Sequence, residues 1–71
     1  MRAPATYHGK SKVFEETFRS AFPKPTEEAA RRVLESIREV HSESYGWIEI
    51  DSKIEKTQAG YVAVRHHAQY K

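Results

Sequence analysis

Residues 26–43, TEEAARRVLESIREVHSE, constrain the fold more than any other stretch, because their apolar side chains recur at the period of an α-helix. The apolar stripe of this segment consists of Ala30, Val33, Leu34, Ile37 and Val40. Thr26 is placed to cap the first free amides, and the acidic pair that follows it suits the positive end of the helix dipole. The sequence therefore predicts an amphipathic helix over residues 26–44 with one face to bury.

Residues 12–22 hold all three phenylalanines of the chain, at positions 14, 18 and 22. A spacing of four positions is typical of one helix face, and Ser11 can serve as the N-cap. Pro23 would end this helix, and residues 23–25 would form a short connector. We therefore predict a second helix whose three rings pack as core against the first helix.

After Gly46, which can take the left-handed conformation at a helix end, the pattern changes from helical to alternating. Residues 47–56 and 61–68 place apolar side chains at every second position, which predicts a β-hairpin with one buried face. A loop of residues 58–60 would set Ile54 opposite Val64. In this register Trp47, Lys53, Tyr61, Arg65 and His67 lie on the outer face.

The first ten residues contain Pro4 and Gly9 and only basic charge. We expect a flexible arm there, with a short edge strand at residues 5–8 as the alternative. The predicted fold is a single α+β domain over residues 1–71, in which two helices pack on an antiparallel hairpin in two layers. The N-terminal segment would add a third strand if it is ordered.

Several functional classes are disfavoured by composition and motifs. The 71 residues include no cysteine, which excludes disulfides and thiolate metal sites and fits a cytoplasmic setting. Neither a signal peptide nor a membrane-spanning apolar run is expected. The chain contains no nucleophile elbow, Gly-rich phosphate loop or HExxH motif. We therefore expect a non-enzymatic protein without a cofactor.

The histidines are predicted to be structural. His66 and His67 are adjacent, so on a strand they point to opposite faces and cannot readily share a metal ion. His41 falls within the apolar stripe of the long helix, and His66 falls on the predicted inner face of the hairpin. These two side chains could meet inside the fold, and no metal site is expected.

Two helices followed by a hairpin have the element order of a winged helix-turn-helix, whose second helix enters the major groove. The segment 26–43 is a poor groove reader, because its five glutamates outnumber its three arginines. Glu27 with Arg31 and Glu28 with Arg32 are better explained as favourable i,i+4 pairs on a solvated face.

Basic residues gather instead towards the two ends of the chain, where tyrosines accompany them. Basic side chains interleaved with aromatics can hold a phosphate backbone and stack on bases. The favoured hypothesis is a small regulatory protein that associates with nucleic acid through the N-terminal arm and the hairpin. Its predicted contacts are Arg2, Lys10, Lys12, Lys53, Lys56, Tyr61, Arg65, His67 and Lys71, with Tyr7 and Trp47.

The alternative hypothesis is a protein-binding inhibitor or adaptor that docks on a larger partner, for example the transcription machinery. Arg32 and Glu39 on the helix face, together with an exposed Trp47, would contact that partner. The edge of the hairpin offers a second route, either by strand addition or by pairing with another copy as a homodimer.

Overall fold

The computed structural model describes residues 3–71, which form a four-stranded antiparallel sheet with one helix on one face. In chain order the elements are β1 (Thr6–Tyr7), β2 (Lys10–Arg19), α1 (Glu27–Val40), a short 3-10 helix (Glu43–Tyr45), β3 (Trp47–Thr57) and β4 (Gly60–Tyr70). The strand order across the sheet is β1-β2-β4-β3. The two-layer α+β architecture agrees with the prediction, but there is one long helix rather than two.

The predicted helix over residues 12–22 is wrong, because this segment forms β2 and pairs along β4 from Lys12 opposite Tyr70 to Arg19 opposite Val64. The error has a simple origin. A spacing of four positions is also a multiple of the strand period of two, so Phe14 and Phe18 share a face in either structure. The β-forming content of the segment and its pairing with β4 decide for the strand.

The helix begins as predicted, since the Thr26 hydroxyl oxygen accepts a hydrogen bond from the Ala29 amide at 3.1 Å. The expected i,i+4 pairs also form, between Glu27 and Arg31 at 2.8 Å and between Glu28 and Arg32 at 3.2 Å. The helix ends at Val40, earlier than predicted. A short 3-10 helix follows, and Gly46 closes it in the left-handed conformation with φ of 85°.

The hairpin is present, but its predicted register is wrong by one residue. Thr57 pairs with Gly60 across a two-residue turn, so Ile54 lies opposite Ala63 and Lys53 lies opposite Val64. A bulge between Glu49 and Asp51 then separates the isoleucines of β3, with Ile48 and Ile50 on one face and Ile54 on the other. The slip exchanges the two faces of β4 relative to β3, so Arg65 and His67, predicted on the outer face, lie beneath α1.

Two small cores result, one on each face of the sheet. On the helix side, Ala30 and Leu34 of α1 are buried together with Ala63 of β4. On the opposite side Ala3, Ala68 and Tyr70 form a buried cluster, against which Tyr7, Ile48 and Ile50 pack.

The N-terminal segment helps to form the second core, because the Tyr70 hydroxyl donates to the Pro4 carbonyl at 2.7 Å. The expectation of an arm is therefore wrong for Thr6 and Tyr7, which form the alternative edge strand with Lys10 and Ser11. Arg2, a predicted site residue, lies outside the described residues.

Candidate functional site

The outer edge of β2 is open along most of its length. β1 pairs only with Lys10 and Ser11, so residues 13–19 have no strand beside them within the described part of the chain. The Ser20 amide donates to the Ala63 carbonyl at 3.0 Å, which directs the backbone of Ser20 towards β4. Since antiparallel bonding alternates along a strand, the N–H and C=O groups of Glu15, Thr17 and Arg19 point to the open edge.

An apolar groove runs beside this edge, between β2 and the helix. Because α1 packs on β4 and β3, part of its apolar stripe is left uncovered over β2. The groove is lined by Phe18, Val33, Ser36, Ile37, Val40 and His41. Val40 is 68% exposed, and Phe14 beside the groove is 46% exposed. The helix stripe predicted from sequence is real, but the chain's own sheet covers only part of it.

The other open edge of the sheet, on β3, has a different character. Its exposed positions are charged, with Asp51, Lys53 and Lys56 along the strand, and the bulge after Glu49 disrupts its regular pairing surface. Charged side chains and bulges are the usual devices that stop an edge strand from pairing with another chain. The β2 edge has a bulge of its own near its start, between Lys12 and Phe14, but its pairing with β4 is regular from Phe14 to Arg19. Because this regular stretch also borders apolar side chains, it is the more accessible of the two edges for strand addition.

A buried polar and aromatic cluster lies at the end of the groove, under the C-terminus of α1. The ring of His41 stacks on Trp47 with centroids 4.0 Å apart, and His67 meets both rings edge to face at 4.9 Å. His67 is wholly buried and bonds to Glu16 at 2.9 Å. Burial, with smaller contributions from His67 and Arg65, lowers the pKa of His41 below its usual value. His41 therefore meets His67, and not His66 as the sequence suggested.

Next to this cluster, Arg65 is held in an ion-pair network. Its Nε lies 3.0 Å from Glu49 Oε1, and Arg38 binds the same carboxylate at 2.8 Å and 3.0 Å through Nε and Nη2. These bonds from Arg38 are the main reason that the pKa of Glu49 lies below its usual value. The bonds between Arg38 and Glu49 tie α1 to β3, and Arg38 also bonds to Glu35 within the helix.

The prediction that Arg65 and His67 lie on the outer face is wrong. Their exposed fractions are 2% and 0%, and α1 covers both. A side chain buried in this way presents no surface to a phosphate group. Trp47 was also predicted on an outer face, and it lies instead between His41 and Phe14, whose ring centroid is 6.0 Å away.

The other predicted nucleic-acid contacts within residues 3–71 fall into two separate groups. Lys10, Lys12 and Lys71 lie at one end of the sheet, where Ser11 and Lys71 exchange backbone hydrogen bonds. Lys53, Lys56 and Tyr61 lie towards the other end of the hairpin. Ten residues of strand separate Tyr61 from Lys71, or about 33 Å. The basic residues predicted within the described part of the chain therefore do not form one continuous surface.

The remaining predicted residues have local partners. The Tyr7 hydroxyl donates to Glu43 at 3.1 Å, and Lys12 pairs with Glu15 at 3.1 Å. Arg32 and Glu39 are exposed on α1, on the side away from the sheet. Within residues 3–71, no group of three or more His, Cys, Asp or Glu side chains is arranged to hold a metal ion.

Comparison with protein-family models, curated proteins and solved structures gives no match to this chain. Within residues 3–71, no helix has the length and apolar character that crossing a membrane requires.

Proposed function

We propose that this protein is a non-enzymatic binding module that holds an extended protein segment against the open edge of β2. The observation that carries the proposal is the coincidence of two features on one side of the molecule. The backbone groups of Glu15, Thr17 and Arg19 face outward, and the apolar groove of Phe18, Val33, Ile37 and Val40 runs beside them.

Strand addition uses both features at once. Main-chain hydrogen bonds to the edge supply affinity, and alternate side chains of the added strand enter the groove and supply specificity. The segment best suited to this surface therefore alternates apolar residues, which would cover Phe18 and Val40, with polar residues. The polar residues would lie on the opposite face beside Glu15 and Arg19.

Selection of peptides from a displayed random library tests this proposal. We expect enriched peptides with alternating apolar positions, and we expect their binding to shift the NMR amide signals of Glu15, Thr17 and Arg19. Thr17→Pro removes an outward N–H from the β2 edge and should abolish binding.

Lys56→Pro is the matched control on the β3 edge. Tyr61 exchanges its backbone hydrogen bonds with Lys24, so the N–H of Lys56, opposite Tyr61, points to the open edge of β3. This variant should bind peptides as the wild type does. The proposal fails if no peptide is enriched and the Thr17 amide exchanges with solvent as an unpaired amide at every protein concentration.

Nucleic-acid association is a second proposal, supported by the proximity of Lys10, Lys12 and Lys71 at one end of the sheet. A site built from these residues is small and would make few phosphate contacts. Fluorescence anisotropy with short DNA and RNA should then show weak binding that falls with salt. Absence of binding at low salt, or binding that Lys10→Gln with Lys71→Gln leaves unchanged, contradicts it.

A further inference from the structure

We infer that the segment held at the β2 edge is β2 of a second copy of this chain, paired antiparallel about a two-fold axis at Thr17. The inference rests on the proposed function, because it names the partner of that same surface. The resulting dimer would have one continuous sheet to which each copy contributes its four strands, with both helices on the same face.

The backbone allows this register. A two-fold axis perpendicular to the sheet keeps both helix faces on one side, so residues of the same parity must pair. With the axis at Thr17, the outward N–H and C=O groups of Thr17 meet those of its copy. The outward groups of Glu15 then meet those of Arg19 in the other chain, so all three outward residues of each chain are used.

The charges also favour this register. On the face away from the helix, Glu15 of each copy lies directly opposite Arg19 of the other, which gives two attractive cross-strand contacts. Within its own chain Arg19 also pairs with Glu55 and Glu15 pairs with Lys12, so these contacts extend existing ion pairs. Moving the axis by one residue to Glu16 would place Glu16 opposite its own copy. Like charges in that position are destabilising.

On the helix face, the same register brings the exposed aromatic rings together. Phe18 lies opposite Glu16 of the other copy, so its diagonal neighbours are Phe14 and Phe18 of that copy. Diagonal neighbours on a sheet are within reach of aromatic side chains. Four rings therefore collect at the axis, in the region where each chain leaves its own groove uncovered.

The space between the two helices of the dimer is wide enough to hold these aromatic rings. Each helix lies over β4, and the two β4 strands of the dimer are three strand spacings apart, or about 14 Å. Helices in direct contact lie about 8–10 Å apart. The remaining gap is wide enough for rings from β2 to sit between Val33, Ile37 and Val40 of the two copies.

Sedimentation and a single cysteine test the contact, since the chain has none of its own. We expect a dimer for the wild type and for Lys56→Pro, and a monomer for Thr17→Pro. In the proposed dimer the two Thr17 Cα atoms lie about 5.5 Å apart, within the range that a disulfide spans. Thr17→Cys should therefore oxidise rapidly to a covalent dimer, whereas Lys56→Cys on the β3 edge should not.

Charge variants test the register, and their recovery on mixing separates it from folding damage, because each variant alone also breaks an ion pair with Lys12 or Glu55 of its own chain. Glu15→Arg and Arg19→Glu each place like charges opposite one another in their own homodimers, so each should dimerise about ten-fold more weakly than the wild type. Mixed in equal amounts, the two variants should form a heterodimer, because the arginine introduced in one chain meets the glutamate introduced in the other.

Three outcomes decide the matter. A wild-type chain that stays monomeric up to millimolar concentration but binds selected peptides at β2 overturns the inference and leaves the proposed function standing. A dimer that neither forms the Thr17→Cys crosslink nor shows preference in the charge mixture uses another surface, which also overturns the inference. A monomer that binds no peptide at β2 overturns both proposals.

Discussion

The environment of His41 makes this residue sensitive to pH. Its ring is stacked on Trp47, faces His67, and lies near the guanidinium of Arg65, with Glu16 as the nearest acidic influence. Burial and the two basic neighbours disfavour the charged imidazolium and lower the pKa of His41, whereas Glu16 partly opposes them. The folded state therefore prefers neutral His41, while the unfolded chain takes up a proton near pH 6.5.

We predict that stability falls as pH decreases through about 6.5 and that His41 contributes to this fall. Because the folded pKa is the lower one, the contribution of His41 is complete above pH 6.5 and is lost progressively towards the folded pKa. Urea midpoints measured from pH 8 to pH 5 should decline, and His41→Gln should reduce the slope. The exposed His8 gives the control variant, His8→Gln.

An unchanged slope in His41→Gln would contradict this prediction. Titration of Glu49 does not contribute to the change in stability between pH 8 and pH 5. Arg38 lowers its pKa below 4.5, so the stability that Glu49 provides is present above that pH and is lost only in stronger acid.

Individual residues also mark where sequence reasoning stops. The capping role of Thr26 could be predicted, because it depends only on the neighbouring backbone. The burial of Arg65 and His67 could not, because it depends on the register of the hairpin. A turn of two residues rather than three moved every side chain of β4 to the other face. Their carboxylate partners, Glu49 and Glu16, belong to other strands and carry no local signal.

Among the elements, the 3-10 helix depends on a close approach to the end of β4. The Tyr70 amide donates to the Gly46 carbonyl at 2.8 Å, which places the two backbones side by side. Gly46 has φ of 85°, and a Cβ atom there would overlap the Tyr70 carbonyl oxygen. Gly9 has a similar φ of 75° but has open space where its Cβ would be.

This difference predicts unequal costs for two alanine substitutions. Gly9→Ala should cost about 1 kcal/mol, from the left-handed backbone alone. Gly46→Ala should cost roughly 3 kcal/mol or more, because backbone strain is joined by a clash that β4 can relieve only by moving. Urea denaturation of both variants measures the two costs. Equal losses in the free energy of unfolding would show that the backbone of Tyr70 moves aside at no cost.

The element that sequence missed, β2, explains why the candidate site was missed with it. As a helix, residues 12–22 would have buried their phenylalanines against α1 and left no edge. As a strand, β2 leaves Phe14 partly exposed beside an open backbone edge, and Phe22, which follows the strand, is 79% exposed. The β-forming content of the segment was the signal available in the sequence, but the four-residue spacing favoured the helix.

For the molecule as a whole, one small helix covers a wider sheet unevenly. The dimensions are 41 × 22 × 14 Å, and the core is divided between two faces. In a chain of this size, the free energy gained by apolar burial exceeds the cost in conformational entropy by only a small margin. An apolar groove that stays exposed to solvent therefore forgoes a notable part of the stabilisation available to the fold. Pairing through β2 would bury that groove and complete the edge in a single contact.

Coupling between association and folding gives the last prediction. If the folded chain dimerises and the unfolded chain does not, raising the protein concentration 100-fold above the dissociation constant stabilises the fold by up to about 2.7 kcal/mol. For a domain of this size that corresponds to a rise in Tm on the order of 10 °C. Calorimetry should show this rise for the wild type and for Lys56→Pro, whereas Thr17→Pro should melt at one temperature throughout. A wild-type Tm that is independent of concentration would mean that a second copy does not cover the groove. The partner that occupies the groove would then be a different protein.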